Sequence, residues 1–240
     1  MIKVRVPATS ANMGPGFDSL GIAVSLYNYF GFRETEGGLS FSGFPEELCN
    51  EDNIVYQSMM KCFEKAKYTP KGLEICSLDQ NIPIARGLGS SSSCIVGGLV
   101  GANKIMGNVF TKDELFQMAV EIEGHPDNVA PAMFGGMVVS IMDEGVSYHD
   151  IVNVKEGIKF VPMIPDFKLS TKEARAVLPK EISIKDGVYN VGRVALMVTA
   201  LSNGKYDLLK FACKDAFHDN YRSKLIKGFE EVKKEAYRVG

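Results

Sequence analysis

Val4 and Val6 alternate with Lys3 and Arg5 at the two-residue period of a strand, and Pro7, which cannot donate to a ladder, is expected to end it. Residues 22–33 (Ile-Ala-Val-Ser-Leu-Tyr-Asn-Tyr-Phe-Gly-Phe-Arg) alternate as a long strand, and Gly37-Gly38 marks a turn into Leu39-Ser40-Phe41. Asp52-Asn53 precedes the apolar-periodic positions Ile54, Val55, Met59, Met60 and Phe63, which predicts a helix starting near Asn53. Leu73 to Leu78 alternates as a strand, and Cys94 to Met106 is a small-residue apolar helix. Thr111-Lys112-Asp113-Glu114 has the form of a capping box, opening a helix that buries Leu115, Phe116, Ala119 and Ile122 and ends at Gly124. Gly135-Gly136 leads into a buried strand, Met137 to Met142. Further on, Lys159 to Pro165 reads as a strand confined by its prolines to an edge or end, and Ser170 to Arg175 as a short helix stopping before Pro179. Residues 186–202 and 205–213 are helical by period, with Gly204 between them, and 219–238 ends the chain as a charged amphipathic helix.

The composition narrows the class. The chain has 240 residues, 45% apolar and 23% charged, with a formal charge of −2. That is enough for a sizeable core, in one large domain or two small ones. It offers no basic excess, which argues against nucleic acid as the main partner, and no run approaches the roughly 20 apolar residues of a bilayer span. The N-terminus lacks a signal-peptide core. The cysteines, Cys49, Cys62, Cys76, Cys94 and Cys213, are odd in number and without a C-x-x-C, as in a reduced, cytoplasmic protein. His125, His149 and His218 have no zinc-ligand spacing.

Candidate chemistry centres on Pro83-Ile84-Ala85-Arg86-Gly87-Leu88-Gly89-Ser90-Ser91-Ser92-Ser93, between a strand and a helix. Glycines let the backbone turn with positive φ and approach a ligand, and the helix start that follows offers unpaired N–H groups to an anion such as phosphate. Its serines can cap the helix, bind phosphate or help hold a metal ion. A flexible linker is the competing reading. No lysine follows Gly89, which excludes a P-loop, and Ser92 stands where a dinucleotide fingerprint needs its third glycine.

Asn12 and Asp18 are isolated polar groups in a turn-rich, charge-poor segment, either as Asx-turn residues or as part of a site. Glu121 and Glu123 stand at a helix C-terminus, where the dipole disfavours carboxylates; they are solvated surface groups or partners of a cation. His125, Asp127 and Asn128 form a polar cluster just before an apolar strand.

Three separated blocks together resemble the GHMP small-molecule kinases and, within them, the homoserine kinases: Pro7-Ala8-Thr9-Ser10-Ala11-Asn12-x-Gly14-x-Gly16-Phe17-Asp18; Pro83 to Ser91; and Glu121-x-Glu123-Gly124-His125-Pro126-Asp127-Asn128-Val129-Ala130-Pro131 with Gly135-Gly136. The likeness continues through Ser170 to Arg175, Leu178-Pro179 and Tyr221-Arg222. It implies an α+β, two-layer fold, with an ATP-loop domain at 1–155 and a ferredoxin-like domain at 156–240. It also implies ATP-dependent phosphorylation of the L-homoserine hydroxyl in threonine biosynthesis, with ATP and Mg2+ as cofactors and a homodimer as a family-level expectation. Residues 83–93 are then expected around the ATP phosphates, Asn53 near the adenine, and Ser91 with Glu121 at Mg2+, Glu123 being the second choice of carboxylate. Asp18 is expected to meet the substrate ammonium and Arg175 and Arg222 its carboxylate, aided by Asn12, His125, Asn128 and Thr171. Related mevalonate kinases place an aspartate base at the reacting hydroxyl. Here the third block offers Asn128, so catalysis is expected from alignment and from Mg2+ and helix-dipole stabilisation.

The family carries a third glycine-rich motif beyond the helix matching Phe229 to Arg238, whereas this chain stops at Val239-Gly240. The expectation drawn from this is an incomplete C-terminal domain and weak catalysis. The other readings are a kinase of a different small alcohol and a catalytically impaired nucleotide- or amino-acid-binding form.

Overall fold

The computed structural model describes residues 1–239. The chain divides into two compact units. The first holds Met1–Ala11, Asp18–Ile84 and Leu88–Ile151, and the second holds Asn12–Phe17, Ala85–Gly87 and the residues from Val152 onward. The change of unit along the chain thus falls at Ile151/Val152, and two short loops of the N-terminal half count with the second unit.

The first unit is a sheet covered by helices, the two-layer α+β arrangement. Strands β1 (Ile2–Ala11) and β2 (Leu20–Glu34) pair antiparallel. On its other edge β2 pairs antiparallel with β4 (Gly72–Gln80) along one half and with β5 (Met137–Asp143) along the other. Strand β3 (Gly38–Ser42) adds parallel to β4, and β6 (Val146–Val152) follows β5 in the strand order. Helices α1 (Ile54–Lys65), α2 (Ser90–Ile105), α3 (Lys112–Glu123) and α4 (Pro126–Phe134) bury their apolar faces with the sheet in one core. Val4, Val6, Phe30, Phe32, Leu73 and Ile75 come from the strands, and Val55, Met59, Phe63, Ile95, Leu99 and Phe116 from the helices.

Two details differ from the sequence reading and position the site. Pro7 does not end β1: the register shifts between Pro7 and Ala8, and the strand runs on to Ala11. β1 lies at the sheet edge, where proline is tolerated, and the bulge re-aims the residues beyond it, Thr9 among them. The polar cluster at 125–128, to which the sequence assigned no element, opens α4, with His125 as its N-cap and Pro126 in its first turn, where a missing N–H costs nothing.

Helix α2 carries little bulk because it lies close to the sheet. A Cβ on Gly97 would sit 2.7 Å from the Phe30 ring, and one on Gly101 would sit 2.4 Å from that of Phe32. Both rings are fully buried, so neither yields cheaply. Gly101→Val is therefore expected to lower unfolding stability by about 3 kcal/mol, the upper range for overpacking a filled core, read as a shift in the urea midpoint.

The second unit is helical among the described residues: α5 (Thr171–Ala176), α6 (Ile184–Asn203), α7 (Leu209–Ala212), α8 (Asp219–Arg222) and α9 (Phe229–Val239). The strand expected at 159–165 does not form; those residues are irregular, with Val161 and Met163 exposed and no partner strand within the unit's described residues. The run at 205–213 breaks into a 3-10 turn, Tyr206–Leu208, and α7. The single helix expected over 219–238 is interrupted by Gly228, whose φ of +83° a helix cannot hold.

Candidate active site

The strand-to-helix loop at residues 83–89 turns by positive φ at every second residue: Ala85 (+56°), Gly87 (+73°) and Gly89 (+63°). Such alternation turns backbone N–H groups inward to form an anion-binding concavity. Gly89 is the N-cap of α2 and supplies no side-chain cap, so the first N–H groups of this 16-residue helix are left to an incoming group. Leu88 anchors the loop in a small apolar cluster with Ala8 and Ile82. Within the second unit, the Ala85 carbonyl accepts from the Leu169 amide at 3.0 Å and the Arg86 guanidinium donates to the Pro165 carbonyl. The Arg86 side chain is thus tied to backbone there.

Two buried polar residues brace this loop from below. The Thr9 amide donates to the Leu88 carbonyl at 3.1 Å, and its hydroxyl donates to Asn128 Oδ1 at 2.8 Å. Asn28, fully buried on β2, accepts the Ile82 amide at 3.0 Å and donates to Ser93 Oγ at 3.0 Å, and Ser93 donates to the Ser90 carbonyl at 2.8 Å. One strand asparagine therefore fixes both the start of the loop and the first turn of α2. Sequence reading assigned neither Thr9 nor Asn28 to the site, although Thr9 stands inside the first motif.

The carboxylate beside the loop is Glu123. Ser91 Oγ and Ser92 Oγ each donate to it at 3.0 Å. Its position at the C-terminus of α3, unfavourable by itself, is offset by the N-terminus of α2, which attracts negative charge. Glu121, expected beside Ser91, instead pairs with Lys61 Nζ at 3.4 Å on an exposed face. Two residues apart on a helix, the two glutamates point to different sides, which the sequence pattern alone does not decide.

Asn53 is 3% exposed and caps α1: its Oδ1 accepts the Val55 amide at 2.9 Å and its Nδ2 donates to the Leu48 carbonyl at 2.7 Å. Both ends of the side chain are engaged within the chain, which suits it to shaping the 48–53 loop more than to contacting a base. His125, the N-cap of α4, lies with Nδ1 3.2 Å from Asp127 Oδ1, and Asp127 is 1% exposed.

Asn12 (φ +55°), the first residue of the Asn12–Phe17 loop, and Asp18 (φ +52°), the residue after it, both adopt the left-handed conformation that their side chains tolerate. The second unit gathers the arginines. The Arg175 guanidinium lies 5.5 Å and the Arg222 guanidinium 5.0 Å from the centre of the Phe17 ring, and Arg222 Nε donates to the Ala174 carbonyl at 3.1 Å. Thr171 opens α5 just after the Ser170 capping box and is exposed. The second unit thus holds Asn12, Thr171, Arg175 and Arg222, and the first holds Asp18, His125 and Asn128.

With this geometry in view, residues 53–136 match the N-terminal domain of the GHMP kinases. The homoserine kinase of Clostridium beijerinckii is 69% identical over the whole chain, which spans 80% of that protein, and one from Clostridium botulinum is 61% identical over the same span. The chain belongs to the homoserine kinase family. A crystal structure of homoserine kinase from Cytophaga hutchinsonii superposes with a TM-score of 0.83 at 31% identity, covering 100% of this chain and 79% of that one. Phosphomevalonate kinase from Streptococcus pneumoniae (TM-score 0.64, 13% identity, 95% and 80% coverage) shares the fold.

Proposed function

We propose that the chain transfers the terminal phosphoryl group of ATP to the side-chain hydroxyl of L-homoserine, giving O-phospho-L-homoserine for threonine biosynthesis. The carrying observation is the side-chain-uncapped N-terminus of α2 with the Glu123 carboxylate held against its first turn by Ser91 and Ser92. These residues fit ATP with Mg2+: the backbone cradle suits phosphate. One carboxylate, Glu123, with the Ser91 hydroxyl beside it suits a cation that relies on one or two carboxylates plus phosphate oxygens. Glu123 and Ser91 would hold the cation. When bound, Mg2+ neutralises charge on the transferring group.

The remaining work is positioning. Arg175 and Arg222 supply the planar donors that match a carboxylate, and Asp18 supplies the charge complementary to an ammonium. Asn128, its amide oriented by Thr9, is assigned to the substrate hydroxyl. Asp127 is buried and directed to His125, so the hydroxyl proton is not assigned to it. Alignment and oriented backbone N–H groups then carry the rate enhancement. The five unpaired cysteines fit a reducing compartment such as the cytoplasm.

The test is coupled ADP release with L-homoserine, L-serine and mevalonate as acceptors, beside calorimetric titration of each. Homoserine is expected to be the preferred acceptor and to bind. Preference for another alcohol, or absence of both turnover and binding with homoserine, would overturn the reading.

A further inference from the structure

Among the described residues of the second unit, the buried polar residues are Asn190, Asp215 and His218. Asn190 on α6 is 1% exposed, Asp215 9% and His218 6%. Hydrogen bonds join them into one network. Asn190 Nδ2 donates to Asp215 Oδ1 at 2.7 Å, and Asn190 Oδ1 accepts the Ala216 amide at 2.9 Å. Asp215 Oδ2 accepts the amides of His218 at 2.7 Å and Asp219 at 2.8 Å. Burial pushes the Asp215 carboxyl up, but the Asp219 amide, Asn190, the His218 amide and the nearby His218 ring together hold it below the ordinary aspartate range.

The set reaches outward to one target. His218 Nε2 lies 2.9 Å from the Gly14 carbonyl, which can only accept, so Nε2 carries the proton. Asn190 Nδ2 also approaches the Pro15 carbonyl at 3.3 Å. Two consecutive carbonyls of one turn, closed by the Gly16 amide on the Met13 carbonyl at 3.0 Å, are thus held by side chains that Asp215 ties together. The Phe17 ring, one residue further on, packs on the His218 imidazole at 5.4 Å between centres. That is the ring against which Arg175 and Arg222 lie.

We infer that Asn190, Asp215 and His218 are positioning residues for the amino-acid substrate: they clamp the Gly14–Phe17 turn so that Phe17 sets the spacing of the Arg175 and Arg222 guanidinium groups for a carboxylate. None of the three needs to touch the substrate. Their alignment acts through the turn, and its loss leaves the α2 phosphate cradle unchanged. The inference rests on the proposed homoserine reading for the identity of the ligand but not for the clamp itself.

Two variants separate the clamp from packing. His218→Phe keeps a ring against Phe17 but removes the Nε2 donor, and His218→Gln restores a donor of similar reach. Hydrogen exchange followed by mass spectrometry should show the peptide spanning residues 12–17 exchanging at least about tenfold faster in H218F, about 1.4 kcal/mol of local opening, with H218Q in between. Calorimetry should show L-homoserine binding weakened about tenfold in H218F and partly recovered in H218Q, with ATP binding unchanged in both. Unaltered exchange at 12–17 in H218F refutes the clamp whatever the ligand proves to be. Faster exchange with unaltered homoserine affinity, or an equal loss of ATP affinity, refutes its role in substrate positioning. If the wild-type chain binds ATP but not homoserine, the homoserine reading fails, the assigned substrate role falls with it, and the exchange result alone decides the clamp.

Discussion

Gly89→Ala should weaken ATP binding by at least about 30-fold while leaving the fold in place. Gly89 has φ +63°, where an L side chain costs about 1–2 kcal/mol. Space is the harder limit: a Cβ there would stand 2.0 Å from Thr9 Oγ1 and 3.3 Å from Asn128 Oδ1. Thr9 is fully buried and held at its amide by Leu88 and at its hydroxyl by Asn128, so it cannot swing away without breaking one of those bonds. Overpacking adds about 1–3 kcal/mol. Relief comes by lifting the loop off β1, which tilts the first N–H groups of α2 away from the phosphates they would bind. At about 1.4 kcal/mol per tenfold in affinity, a loss of about 2 kcal/mol from the binding geometry gives the stated change. Calorimetric titration with ATP, beside circular dichroism to confirm that the helices remain, measures it. Wild-type affinity in a folded G89A chain would mean that the loop does not contact the nucleotide.

How much of this could be read from residues alone depends on how local each cause is. The capping box at Thr111/Glu114, the helix start near Asn53 and the helix end at Gly124 are settled within four residues, and the structure has them where the pattern put them; it adds a second capping box at Ser170/Glu173, at the start of the short helix read there. The glycine-serine loop entering a helix is local in the same sense. Strand β6 escaped notice because its burial does not alternate cleanly: Val146, Tyr148 and Ile151 are exposed. Helix α4 escaped because it is nine residues long with two prolines, a pattern that reads as a turn.

The site residues divide along the same line. The motifs marked Asn12, Asp18, Arg175 and Arg222 by resemblance, and the approach of both guanidinium groups to the Phe17 ring is a fact of packing. Asn28 carries no sequence signal: an asparagine in an apolar strand reads as a flaw until its partners, 54 and 65 residues away, are in place. His218 is similar, because its bond to Gly14 spans 204 residues. The strand foreseen at 159–165 shows the converse, since local propensity with no partner strand among the unit's described residues leaves a segment irregular.

Glu123→Gln should reduce phosphoryl transfer about 100-fold or more, and Glu121→Gln by less than about threefold. The two differ in what surrounds them. Glu123 stands between the hydroxyls of Ser91 and Ser92 at the positive end of α2, so its charge is both fixed in direction and placed beside the loop assigned to the phosphates. Glutamine keeps the shape but has one acceptor oxygen for two serine donors, and it brings no charge to a divalent cation. Losing one preorganised electrostatic element in an active site typically costs about 100- to 1000-fold in rate. Glu121 faces Lys61 with half its side chain in water, an arrangement worth little. The measurement is the initial rate of ADP release at saturating ATP and homoserine across a Mg2+ titration. Glu123→Gln should also shift the Mg2+ midpoint upward, because the carboxylate assigned to the cation is gone, whereas Glu121→Gln should overlay the parent curve. The reverse order, with Glu121→Gln the damaging change, would return the metal site to Glu121 and require its Lys61 pair to open before the cation binds.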